Sequence, residues 1–242
     1  MYTYVTTCCS FIVTHVTINI CHVLMLFVTM NLSQAKRLLD DHLHPYFHHK
    51  KYTEKSPLVY ERKTGFGSSV FIATVTGDEE MAYVKFFTGI RHDLVELTLT
   101  NTFGLKDYFR HASYSLLLNS SLLDSQYSPP SLPSKQLSDI QTIGDMAIDF
   151  MDRKGFDFLN YYKQLSNLDH LFNDNPEKLA KWTCHNYLHR FRAMAIAKLV
   201  DRDDFDQLLQ MHRNYLENRG LSGPIIAKFD STFTQLKKLS LN

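Results

Sequence analysis

Apolar positions follow a helical period at the start of the ordinary part of the chain, a two-residue period in its middle, and a helical period again to the end. From Asn31, the residues Leu32, Ala35, Leu38, Leu39, His42 and Leu43 recur at helical spacing, and Asn31-Leu32-Ser33-Gln34 supplies a start signature. Pro45 should end this helix, because the residue before a proline avoids the α region. A basic loop is expected from His48 to Lys55. The period then drops to two, which predicts strands at Leu58–Lys63, Ser68–Thr76 and Met81–Thr88. Gly77-Asp78-Glu79-Glu80 between the last two predicts an antiparallel hairpin. Asp93 with Glu96 opens a short helix that Gly104 should stop, although Val95, Leu97 and Leu99 also alternate as a strand would. Tyr114–Leu118 adds one more strand.

Pro129, Pro130 and Pro133 among serines mark Ser125–Lys135 as an exposed connection. Helices follow. Ser138 and Gln141 cap one carrying Ile140, Ile143, Ala147 and Phe150, with Gly155 as its stop. Shorter pieces are expected at Phe156–Gln164 and Asn167–Phe172, and Pro176 stands at the first position of a helix burying Leu179, Trp182, Phe191, Met194 and Leu199. Asp204–Asn218 and a last helix opened by Pro224 complete the chain. Strands segregated before helices indicate an α+β fold: an N-terminal helix, a small antiparallel β-sheet and a helical C-terminal half.

Charge draws a boundary within the 242 residues, since no Lys, Arg, Asp or Glu precedes Lys36. Residues 1–29 are read as an extraneous N-terminal segment joined by a start assigned too far upstream. Residues 30–242 are then a single α+β domain, with helix and sheet over 30–124 and helices over 136–242. Tyr4–Met30 is long enough for a membrane span at about 20 residues, so a membrane anchor is the alternative for that segment alone. It has neither the positive flank nor the cleavage site of a signal peptide. A net charge of +1 offers no field for nucleic acid, and none is expected as a partner. Of the four cysteines only Cys184 falls in the domain, which favours a reducing, cytoplasmic setting.

Candidate chemistry is sparse. There is no Gly-x-Ser-x-Gly elbow and no phosphate-cradling glycine loop, because Gly65 and Gly67 precede a strand. His42, His44, His48 and His49 match no zinc spacing and read as a solvated loop. His185 and His189, beside Cys184, would share a helix face as paired zinc ligands do, but Asn186 stands where a zinc hydrolase has its glutamate. No metal or other cofactor is therefore assigned. Lys50, Lys51, Lys55, Arg62 and Lys63 read as a solvated face, and Asp201, Asp203, Asp204 and Asp206 as a favourable helix start. Arg91, His92, Asp93 and Glu96 remain as binding candidates, crowded where a strand gives way to a helix.

The opening helix into a Lys-Lys stretch and Tyr60-Glu61-Arg62 contribute to a resemblance, as does the strand into Gly89-Ile90-Arg91-His92-Asp93-x-Val95-Glu96. So do Lys154-Gly155-Phe156-Asp157-Phe158-Leu159 and Ala195-Ile196-Ala197-Lys198-Leu199 before Asp204-Phe205. On these short motifs the chain from Met30 resembles bacterial toxin-immunity-like proteins, α+β domains of unknown activity. The resemblance implies binding to a protein partner such as a toxin. It carries no catalytic residues. The competing expectation is an enzyme using Arg91, His92, Asp93 and Glu96, or a metal at His185 and His189.

Overall fold

The computed structural model describes residues 32–78, 81–103, 113–133, 138–183 and 186–238. The 1–29 segment, its boundary at Met30 and the Asn31 cap lie outside the described residues.

Helix α1 (Leu32–His49) buries Ala35, Leu39, Leu43 and Phe47 in one four-residue stripe. It does not stop at Pro45, which lies inside it. The proline removes one backbone donor, a defect of about 3 kcal/mol in a helix interior. Phe47, one turn on, stacks between Tyr60 (4.5 Å between ring centroids) and Phe71 (4.6 Å), and this burial holds the last turn helical. His48 and His49 therefore belong to a helix, and the expected basic loop is short, since Thr53–Ser56 is already strand β1.

The sheet runs β1-β2-β3-β4-β5, all antiparallel, with β2 at Val59–Thr64, β3 at Gly67–Gly77, β4 at Met81–His92 and β5 at Leu116–Asn119. The β3–β4 hairpin is in register from Gly67↔His92 to Gly77↔Ala82, so β4 extends four residues past Thr88. Gly67 makes that far end possible: its φ is +146°, and a Cβ there would collide with the Arg91 carbonyl oxygen. Alternation along β4 sends Ala82, Val84, Phe86 and Ile90 into the core beside Phe71 and α1. Tyr83, Lys85, Phe87, Gly89 and Arg91 form the outer face.

Helix α2 (Asp93–Phe103) follows β4 directly, and its buried Val95, Glu96, Leu99 and Thr100 show that the four-residue period governs, not alternation. After β5 come a single turn α3 (Ser120–Leu123) and a 3₁₀ turn (Ser125–Tyr127). The proline-rich connection is not wholly exposed. Tyr127 is buried with its hydroxyl on Asp149 (2.8 Å), and Leu132–Pro133 forms a two-residue strand β6 paired with Met81 and Ala82.

In the helical half, α4 (Ser138–Phe150) passes through a π turn (Met151–Gly155) into α5 (Phe156–Tyr162). Gly155 does not stop the helix; its φ and ψ are −62° and −47°. The glycine serves packing instead, because the Met151 sulfur lies 2.5 Å from where its Cβ would be. Helix α6 (Leu165–Asp169) and a second π turn (His170–Asp174) lead to α7 (Pro176–Trp182). The single helix expected from Pro176 is two, since α8 spans Leu188–Leu199. Thr183 closes α7 by returning its backbone N–H and hydroxyl to the Leu179 carbonyl. Helices α9 (Phe205–Asn218) and α10 (Gly223–Lys238) pack against α8, which is buried on every side from His189 to Ala197. One apolar cluster runs from Ala35 to Leu236 through both halves.

Candidate functional site

The strand-to-helix corner at His92–Asp93 gathers charge because two elements meet there with their polar groups facing inward. Glu96, one turn into α2, is fully buried. Its Oε1 accepts from Arg192 Nε (2.9 Å) and Ser115 Oγ (2.8 Å), and its Oε2 from Arg192 Nη2 (3.2 Å) and Ser113 Oγ (2.5 Å). Burial alone would raise this carboxyl; Arg192 and the two serines outweigh it and hold it below the ordinary range. Arg91 joins from the outer face of β4. Its Nε donates to Asp93 Oδ1 (2.9 Å), and its Nη1 to the Ser113 carbonyl (2.9 Å) and hydroxyl (3.1 Å).

Arg91, Asp93 and Glu96 thus share one network through Ser113. His92 reaches it only through its backbone N–H, which donates to Ser115 Oγ (2.9 Å). Its ring turns to the other side of the sheet, stacked on Phe66 at 5.6 Å, where burial lowers its proton affinity. A general base has to touch the proton that it removes. Both oxygens of Glu96 are committed to internal donors, so Arg91, Asp93 and Glu96 tie β4 and α2 to the residues just before β5 and to α8. Sequence reading missed Arg192, Ser113 and Ser115. Arg192 had a signal, as a cation inside the otherwise apolar run Phe191 to Ala197; the serines had none.

Arg192 also faces a groove of about 660 Å³. One wall is the outer sheet face with Lys85, Phe87, Leu117 and Asn119; the other carries Trp182 from α7, Thr183 and Asn186 from between the helices, and His189 and Arg192 from α8. Leu122 on α3 stands at its edge, 42% exposed, and Tyr83 extends the same sheet face at 47%. His189 is buried, with Nδ1 unpartnered among the described residues, and burial beside Arg192 and Arg190 holds it neutral, well below the usual histidine range. Trp182 lies under Lys178, whose amine is 4.4 Å from the ring centroid.

No family model, curated protein or solved structure matches the chain. The reading of the groove therefore rests on its own geometry.

Cys184 and His185 lie outside the described residues, and α8 begins at Leu188, after both. The reading of a metal at His185 and His189 therefore lies partly outside the described residues. No group of three or more metal-ligating side chains occurs among them. The N-terminal histidines have ordinary partners: His42 Nε2 meets Asp145 Oδ1 at 2.9 Å and His44 Nδ1 meets Glu54 Oε2 at 3.0 Å.

Proposed function

We propose that the protein is a non-catalytic binding domain of the immunity-like kind, which holds a bacterial protein partner, such as a toxin, in the groove between the outer sheet face and α7–α8. The observation that carries this reading is the make-up of that groove. Phe87, Leu117, Leu122 and Trp182 offer apolar and aromatic contact beside the exposed Lys85 ammonium. Aromatic anchors next to a few fixed charges are what protein interfaces use most. A partner segment with a bulky apolar side chain and a neighbouring carboxylate suits both walls.

The near-zero net charge supports a protein partner over nucleic acid. No helix among the described residues is long and apolar enough to cross a membrane. Capture from the native host, with the wild type beside a Tyr83→Asp/Leu122→Asp double variant, tests the proposal. Both side chains are well exposed, so the fold should survive, which a circular dichroism melt would verify. One protein retained by the wild type and lost from the variant is the expected result. Identical recovery on both, or no specific protein on either, would sink the proposal.

A further inference from the structure

Every buried or half-buried arginine among the described residues has a hydrogen-bond acceptor, with one exception. Arg91 reaches Asp93 and Ser113, and Arg192 reaches Glu96. Arg190 reaches His212 and the Pro176 carbonyl, Arg202 binds three aspartates, and Arg213 meets Asp230 and Glu217. Arg62, half-buried on β2, forms no hydrogen bond or ion pair with a described residue. It is positioned by aromatic faces instead, with its guanidinium carbon 5.0 Å from the Tyr52 ring centroid and 6.0 Å from that of Phe156. A guanidinium lying over rings keeps its N–H edge free for an acceptor in its own plane.

That side chain lines a cavity of about 260 Å³ at the turn of the β2–β3 hairpin, closed over by α5. Lys163 supplies a second cation, and Thr64 and Asn160 supply neutral donors, while the Ser69 hydroxyl is paired with that of Tyr52 (3.0 Å). The lining contains no carboxylate. Thr64 Oγ1 is buried without a partner, a defect worth about 1–3 kcal/mol unless something fills it. Two cations with no ion-pair partner among the described residues and an unsatisfied hydroxyl around one recess all call for the same thing, an acceptor with several oxygens.

We propose that this cavity binds a doubly charged tetrahedral oxyanion: inorganic phosphate, or the phosphoryl group of a small phosphomonoester. The Arg62 fork takes two oxygens, Lys163 adds a point charge from the rim, and Thr64 donates to a third oxygen. The volume lies below the roughly 300–1,000 Å³ of sites for drug-sized ligands, which suits a small anion better than a whole nucleotide. The site stands on the core side of the sheet, away from the groove on the outer face, and does not depend on the function proposed for that groove.

Calorimetric titration of the full chain with sodium phosphate, at constant ionic strength set by chloride, tests it. A saturable one-site heat is expected, weakened about tenfold in Arg62→Gln and several-fold in Lys163→Gln, as loss of a charge-assisted pair implies. Lys163 is exposed, so its variant keeps the test valid if Arg62→Gln proves unstable. Titration with glycerol 3-phosphate separates the two sources: tighter binding than phosphate identifies a small organic monoester, and equal or weaker binding identifies the free ion. Absence of saturable heat with either anion, or unchanged affinity in both variants, would overturn the proposal.

Discussion

At the scale of single residues, the most consequential side chains are buried charges and imidazoles with assigned partners. Glu96→Ala would leave Arg192 enclosed without its counter-charge, and breaking one half of a buried pair costs about 3–5 kcal/mol. A loss of that size in the unfolding free energy obtained from urea denaturation is expected. Glu96→Leu combined with Arg192→Met should recover much of the loss, because two apolar groups of similar volume leave no orphaned charge. His212 gives a second test. Its Nε2 donates to Asn173 Oδ1 (2.9 Å), so Nδ1 is left to accept from Arg190 Nη1 (3.3 Å), and a proton on Nδ1 would face another donor. Burial and Arg190 push its pKa down from 6.5 to about 3. The unfolded chain therefore takes up a proton over that interval that the folded chain refuses. Stability contributed by neutral His212 is whole above pH 6.5 and erodes as pH falls towards 3, with His189 and His92 acting in the same direction. Chemical denaturation at stepped pH should show this decline, and His212→Gln should make it shallower between pH 6.5 and 4. An unchanged slope would remove His212 from the acid response.

Among the elements, the sheet was more legible in the sequence than the helices. The two-residue period through Phe71, Ala73 and Val75 and through Val84 and Phe86 located β3 and β4, and the turn residues set their pairing. The extension of β4 to His92 was hidden, since it depends on Gly67 lying opposite, a fact of register. Helix boundaries misled at Pro45 and Gly155, which were read by their usual local role, whereas Pro176 does open a helix. Pro45 is overruled by the stacking of Phe47, and Gly155 sits under Met151 in a continuous helical path. The candidate site was half legible for the same reason. Arg91, His92, Asp93 and Glu96 are adjacent in sequence, but their partner Arg192 arrives from a helix 96 residues away from Glu96. Gly144 shows how a small residue fixes element packing: a Cβ there would strike the His42 ring, so α1 and α4 approach closely only without one. Gly144→Leu should separate these helices and cost about 1–3 kcal/mol as overpacking, read as a lowered thermal midpoint. A neutral or raised midpoint would mean that the interface has slack.

For the whole molecule, the question is whether the sheet half and the helical half unfold as one. Three observations favour a single unit. The apolar cluster is continuous from α1 to α10, α8 has no solvent-facing side from His189 to Ala197, and the Glu96–Arg192 pair ties α2 to α8 inside that cluster. Separate units would need a boundary where few contacts cross, and α2 packs on α8 and α10 as well as on β3 and β4. Trp182, the only tryptophan in the sequence, stands on α7 at the groove between the halves and reports on their junction. Its fluorescence and the far-ultraviolet circular dichroism should therefore follow one urea transition. Two truncations at opposite ends of the core make the test sharp. Tyr60 stacks under α1 and Phe229 packs against Phe191 and Phe233, and each loses about 3–5 kcal/mol on replacement by Ala. Tyr60→Ala should move the Trp182 transition as far as Phe229→Ala does, although its ring lies in the sheet half. If Tyr60→Ala shifts only part of the dichroism change and leaves Trp182 fluorescence in place, the halves unfold separately, and the buried ion pair joins two domains.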